Sequence, residues 1–295
     1  MLAPQYRFAP IARQVLDVGT TLESGQLFLY ERLTEQEWLI GLEEGTFQLR
    51  QTDEGLYWAT DPPENWSLVA HFFSLDVDLS VLQRQWLEKD PTFAECLAAS
   101  PGLRIMRQTA EAALVQFVCT SCNNVPRIAG MLRSLAQTLG TTIETPWGGK
   151  CYRVPRLDEI AALTASDLRH LGFGYRGEFL STIARLRPRL AKLAILETEE
   201  ARARLMDLPG VGPKVADCVC LFGLGRFEVV PVDTHVRRYA TRRFCAPLAD
   251  AALTPKRYQA IADGFRGIMG DYAGWAQQYV YAWSRRQPRT RRGTR

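Results

Sequence analysis

Between Leu208 and Pro213 the chain must reverse direction within a few residues, and this constrains the fold more than any other segment. Leu208-Pro209-Gly210-Val211-Gly212-Pro213-Lys214-Val215-Ala216-Asp217-Cys218 follows a helical stretch from about Glu199 to Met206. It leads into a second helix in which Val215, Cys218, Val219 and Phe222 mark one apolar face. Pro213 suits the first turn of that second helix. The segment therefore predicts helix, glycine-rich hairpin, helix. Gly210 and Gly212 let the backbone turn tightly and aim its amides at an anion arriving at the helix N-terminus, where partial positive charge gathers. A DNA phosphate fits such a site, and a plain helical connection does not need this pattern.

Two readings of Lys214 are open. It lies in the first turn of the second helix, where a cation opposes the helix dipole. A partly desolvated amine at that place can attack an electrophilic carbon; alternatively, a solvated lysine pairs with Asp217 three residues on. Further along, Val229-Val230-Pro231-Val232-Asp233-Thr234-His235 is an apolar extended run that ends on Asp233 at the start of a helix. Asp233 is an N-cap candidate. A carboxylate held that rigidly can also stabilise positive charge developing on a sugar as its base departs.

The remaining constraints come from size and charge. A chain of 295 residues, 46% hydrophobic and 23% charged, has room for two moderate domains, and no apolar run is long enough to span a bilayer. Met1 to Arg13 lacks the apolar core of a secretory signal. Seven cysteines, an odd number scattered along the chain, suit reduced thiols better than a disulfide framework. A soluble protein in a reducing compartment, without membrane association, follows. The net charge of +4 conceals an asymmetry: residues 1–100 hold 6 basic and 16 acidic side chains, residues 101–283 hold 24 and 16, and residues 284–295 hold six arginines and no acid. An acidic first third joined to a basic remainder predicts that the remainder faces a polyanion. Two domains with ordinary surfaces would give the same counts.

The fold class expected is α+β: a small antiparallel-sheet N-terminal domain over 1–100, a mostly α-helical helix-hairpin-helix domain over 101–283, and a basic disordered tail over 284–295. Gly25 to Tyr30, Thr46 to Gln51 and Gly55 to Trp58 are short aromatic and apolar segments separated by tight-turn residues, and predict strands. From about Ser67 to Ala99 the spacing turns helical. In Pro126 to Leu139 the apolar residues Ile128, Met131, Leu132, Leu135 and Leu139 follow helical periodicity, with Asn124 as N-cap and Gly140 as terminator. The tail from Arg285 has nothing apolar to bury, and its charge should add non-specific DNA affinity.

The hairpin, Lys214 and the run Val230-Pro231-Val232-Asp233 together resemble the helix-hairpin-helix DNA glycosylase superfamily, and within it the 8-oxoguanine DNA glycosylases. The likeness recurs in Ser24-Gly25-Gln26, Phe117-Val118-Cys119-Thr120-Ser121, Arg127-Ile128-Ala129-Gly130-Met131, Leu171-Gly172-Phe173-Gly174-Tyr175-Arg176 and Tyr272-Ala273-Gly274-Trp275-Ala276-Gln277. It spans both domains, from about Gly25 to Tyr281. The resemblance implies a bifunctional glycosylase and abasic-site lyase acting on 8-oxoguanine in double-stranded DNA, preferably opposite cytosine, as a monomer. It implies Lys214 as the Schiff-base lysine and Asp233 as the catalytic aspartate. The Gly25 carbonyl would accept the N7 hydrogen of 8-oxoguanine, Cys218 and Tyr281 would sandwich the base, and Gln277 would read its Watson-Crick edge. Tyr281 stands where phenylalanine is common.

By the same likeness Tyr175 and Arg176 wedge into the stack and meet the orphaned cytosine, Arg127 makes a second cytosine contact, and Asn123 keeps a family asparagine. Gly210, Gly212 and His235 fall at DNA-phosphate positions. One departure stands out: the eukaryotic pattern of three consecutive asparagines is Cys122-Asn123-Asn124 here. Burial as a small hydrophobe is the other reading of Cys218. No cofactor is required, although the hairpin carbonyls suit a monovalent cation as in the family. The four-cysteine iron-sulfur cluster of a related branch is excluded, since only Cys245 follows Asp233. Cys119-x-x-Cys122 has no second pair to complete a zinc site, so no metal ligands are expected. Two rival readings are an alkyl-base glycosylase, which needs only the aspartate, and a non-catalytic DNA-binding module, which needs neither Lys214 nor Asp233.

Overall fold

The computed structural model describes residues 3–244 and 252–287. Five antiparallel strands, β1 (Arg7–Ala9), β2 (Glu31–Arg32), β3 (Glu37–Gly41), β4 (Thr46–Gln51) and β5 (Leu56–Asp61), form one sheet in the order β1-β5-β4-β3-β2. Trp38, Leu49 and Trp58 lie in register across β3, β4 and β5. The face they share packs on Val69, Phe72 and Phe73. Phe47 meets Phe72 edge to face at 5.3 Å.

Helices α1 (Val18–Leu22), α2 (Trp66–Phe72), α3 (Leu79–Lys89) and α4 (Ala94–Ala99) complete the first hundred residues. Then follow α5 (Ala110–Val118), α6 (Val125–Thr138), a two-stranded β6 (Thr142–Glu144) and β7 (Lys150–Tyr152), α7 (Leu157–Ile160), α8 (Ala165–His170) and α9 (Arg176–Leu186). The hairpin lies between α10 (Thr198–Met206) and α11 (Pro213–Cys218), and α12 (Thr234–Arg243), α13 (Pro255–Met269) and α14 (Ala273–Arg286) finish the described chain. The antiparallel sheet beside a helical body is the α+β class expected. None of these helices is long and apolar enough to cross a membrane.

Three expectations are corrected, and the strand β3 is added to those the sequence predicts. Gly25 to Tyr30 is not a strand. It runs between the two bodies, and glutamine amides replace a neighbouring strand: Gln26 donates to Arg104 O and accepts from Met106 N, Gln108 donates to Gln26 O, and Gln116 accepts from Phe28 N. β3 was hidden because both its faces are covered, Trp38 and Ile40 by the sheet core and the neighbourhood of Gly41 by Cys151 of β7, so it lacks alternation.

The cores, moreover, do not divide at residue 100. Leu79, Leu82, Trp86, Phe93 and Cys96 of the α3–α4 region pack into the helical core with Phe265 and Tyr279. Finally, α14 continues through Ser284, Arg285 and Arg286, because Tyr279, Ala282 and Ser284 keep an inward face past the expected boundary. The remaining arginines of the tail, and Cys245, lie outside the described residues.

The expected helix of residues 126–139 is α6, and Asn124 caps it by accepting from Arg127 N. Arg104 fastens the sheet body to the helical body. Its buried guanidinium donates to the carbonyls of Val15, Phe73, Ser74 and Val77 and lies 5.4 Å from the Trp275 ring of α14.

Candidate active site

The hairpin between α10 and α11 forms as its glycines require. Gly210 sits at φ +76°, and a Cβ there would lie 2.3 Å from the Phe179 ring. Gly210→Ala combines left-handed backbone strain with a collision, and should cost about 3 kcal/mol, a fall in Tm of roughly 5–10 °C. An unchanged thermal melt would show that the turn does not need glycine. At Gly212, the N-cap of α11, a Cβ would meet no atom within 4 Å, so the backbone amides there are open to a close-lying anion.

The two readings of Lys214 are separated by its partners. Asp217 is turned into the interior, where Arg202 and the Tyr258 hydroxyl donate to its two oxygens. Lys214 instead donates from Nζ to Thr120 Oγ1 at 3.1 Å and lies 5.1 Å from the Phe117 ring. Tyr258 also accepts from Val232 N at 3.0 Å. One phenol thus ties the helix that carries Lys214 to the loop that delivers Asp233.

Asp233 caps α12. Its Oδ1 accepts from His235 N at 2.9 Å and Val236 N at 2.8 Å. Nδ1 of His235 meets Ser284 Oγ at 2.9 Å, and its ring stands edge-on to Tyr281 at 5.5 Å.

These groups line a cavity of about 990 Å³. Lys214, Cys218 and Asp233 enter it from the hairpin side, Gln277 and Tyr281 from α14, and Gly25 from the sheet body; Asn123, Gly212 and His235 line it as well. Burial pushes the Cys218 thiol up to about 11, so it stays protonated near neutral pH and does not compete as a nucleophile. Burial likewise raises the Tyr281 phenol. Gly25, at φ +78°, is close enough to Tyr281 that a Cβ would lie 3.1 Å from its hydroxyl. Gln277 is only 3% exposed, and its Oε1 has no partner among the described residues. A buried amide oxygen left unpaired costs about 1–3 kcal/mol, which a ligand donor can recover.

The residues expected at the opposite base gather around one loop, but not as equals. Tyr175 is exposed, with its hydroxyl 3.3 Å from Ser121 O. Arg176 is buried beneath it, donating from Nε and Nη2 to Ser121 O and from Nη2 to Cys122 O, with its guanidinium over the Tyr175 ring. Here Arg176 shapes the loop from below. Asn123 donates to Cys119 O, and Arg127 is exposed and reaches Gly172 O at 3.5 Å. Cys122 holds φ +47° and is exposed, while Cys119 is buried against Val115 O, so the two thiols do not converge. Tyr175, Arg176, Arg127 and Gly210 lie outside the cavity lining. Thr120, Tyr258 and Ser284 are site residues that local sequence could not single out, since each acts through a partner at least 26 positions away.

A helix-hairpin-helix that presents a lysine to a cavity shared with a capped aspartate defines a DNA glycosylase of the helix-hairpin-helix class. Residues 9–114 match the family described as 8-oxoguanine DNA glycosylase, N-terminal domain. The chain is 32% identical over 280 residues to the N-glycosylase/DNA lyase of Arabidopsis thaliana, covering 90% of this chain and 76% of that protein. It is 35% identical over 243 residues to the N-glycosylase/DNA lyase of Saccharomyces cerevisiae, covering 72% and 64%. The fold matches that of the Clostridium acetobutylicum 8-oxoguanine glycosylase/lyase, solved with double-stranded DNA containing cytosine opposite 8-oxoguanine, with a TM-score of 0.81 at 25% identity over 92% of each chain. The chain belongs to the N-glycosylase/DNA lyase family of 8-oxoguanine DNA glycosylases. It is a DNA-repair enzyme, a glycosylase with lyase activity.

Proposed function

We propose that this enzyme excises 8-oxoguanine from duplex DNA, with a preference for cytosine opposite, through a Schiff base on Lys214 followed by β-elimination, and that it works as a monomer. The observation that carries the reading is the shared cavity, which sets the Lys214 amine and the Asp233 carboxylate beside an unpaired buried amide oxygen on Gln277. Inside a duplex neither C1′ nor the base edge is accessible, so the lesion must rotate out of the stack to enter.

The free amine of Lys214 then bonds to C1′ as the bond from C1′ to N9 breaks, and the electron pair leaves with the base, which takes up a proton. Asp233 stabilises the positive charge on the sugar and assists the proton transfers. Opening of the sugar ring gives the imine. The imine acidifies the C2′ hydrogen, and its loss expels the 3′ phosphate and breaks the strand; water finally releases Lys214. Gly25, Cys218, Tyr281 and Gln277 select the base, and the hairpin amides with Gly212 and His235 hold the backbone phosphates. Borohydride trapping of the purified protein on an 8-oxoguanine duplex tests the reading, and the absence of a covalent adduct would overturn it.

Preference for cytosine should be weaker than an asparagine at position 122 would give, because a thiol cannot supply an amide's hydrogen bonds. With Arg176 engaged beneath the loop, Arg127 is the exposed donor nearest this reading. Asparagine also accepts left-handed backbone more readily than most residues. Cys122→Asn is therefore expected to raise the ratio of excision opposite C to excision opposite A, G or T by about five-fold, and to stabilise the fold slightly. Single-turnover excision opposite each base decides it. Unchanged ratios would show that position 122 takes no part in partner choice.

A further inference from the structure

The bend at Ser24 and Gly25 is held from the far end of the chain. Gln278 of α14 is buried, at 3% exposure, and donates from Nε2 to Ser24 O at 2.7 Å across 254 residues. The Ser24 hydroxyl donates to Thr21 O at 2.6 Å and accepts from Gln26 Nε2 at 2.8 Å. Gln26 is in turn bonded through its own amide to Arg104 and Met106. Both neighbours of Gly25 are clamped, and Gly25, at φ +78°, is the joint between them. Its carbonyl has no donor among the described residues. Gln278 and Tyr281 are three positions apart and so adjacent on the helix surface. Thus α14 meets the bend twice, by a hydrogen bond at Ser24 and by contact between Tyr281 and Gly25.

We propose that Gln278 is a positioning residue for lesion specificity. Holding the Ser24 carbonyl fixes the Ser24–Gly25 peptide, and with Gln26 anchored on the other side it limits the Gly25 torsions that aim the carbonyl of the Gly25–Gln26 peptide at the base cavity. Hydrogen bonds weaken steeply away from linearity, so a peptide free to rotate would no longer distinguish a base with hydrogen at N7 from one without. The inference rests on the reading of Gly25 as that acceptor. Gln278 itself needs no contact with the reacting atoms.

Gln278→Met keeps the length and packing of the side chain and removes the donor. Two rates are compared in single turnover: excision of 8-oxoguanine opposite cytosine, and incision at a preformed abasic site opposite cytosine, which uses Lys214 but has no base to read. The ratio of excision to incision is expected to fall about five- to ten-fold, the loss of one good hydrogen bond. In a Lys214→Gln background, preference in affinity for an 8-oxoguanine duplex over the guanine duplex should fall by a similar factor. A merely structural role would lower both rates together, so an unchanged ratio with an unchanged binding preference would overturn the proposal. Should Gln278→Met fail to fold, as judged by its melt, Gln278→Leu is read in the same way, since its side chain cannot donate to Ser24 O. A wild-type enzyme that incises abasic sites but does not excise 8-oxoguanine would overturn the reading of the substrate instead.

Discussion

Lys214→Gln is expected to abolish base release and borohydride trapping, a loss on the order of 10⁴-fold or more, as for removal of other enzymic nucleophiles. Glutamine can still reach toward Thr120 Oγ1 and pack on the Phe117 ring, the contacts that hold the lysine, so the hairpin should keep its shape and lesion binding should survive. No other described residue of the cavity lining carries an amine. The Cys218 thiol shares the cavity but is held protonated by burial, and an amide is not a nucleophile under these conditions. Undiminished trapping in this variant would mean that another amine carries the chemistry.

Asp233→Asn is expected to lower single-turnover excision by roughly 10²- to 10³-fold, the scale of removing one preorganised electrostatic group, with little change in Tm. The two effects separate because the two jobs of the carboxylate separate. The cap bonds from His235 N and Val236 N both fall on Oδ1, which an asparagine carbonyl can replace, whereas neutralisation removes the charge proposed to act on the sugar. Thermal melts and excision rates measured side by side check this. If the variant unfolds, the cap accounts for Asp233 and the catalytic role loses its support.

What could be read from the sequence was local. The turn at Gly210, the cap at Asn124, the cap at Asp233 and the strand Thr46 to Gln51 each declare themselves within a few residues, through backbone propensity and periodicity. What could not be read depends on distant partners. Lys214 and Asp217 look like a pair three positions apart, yet Asp217 is claimed by Arg202 and Tyr258, 15 and 41 positions away, and Lys214 by Thr120, 94 positions away. Tyr175 and Arg176 are consecutive and share a motif, but one is exposed and the other, buried, donates to the loop carbonyls above it. Gly25 to Tyr30 has the composition of a strand, and only the glutamines at 108 and 116 reveal that its backbone is satisfied without one.

The contact between Gly25 and Tyr281 joins segments made far apart in the course of synthesis. A ribosome-bound chain that has reached α12 already contains Lys214 and Asp233, yet it lacks the helix that supplies Gln277 and Tyr281. Contacts so remote in sequence form late, after the local hairpin and helices. The amine proposed to react is therefore made before the surface proposed to choose its target. Docking of α14 on the sheet body brings the two together, so on the proposed reading that contact must form before the enzyme can select its base.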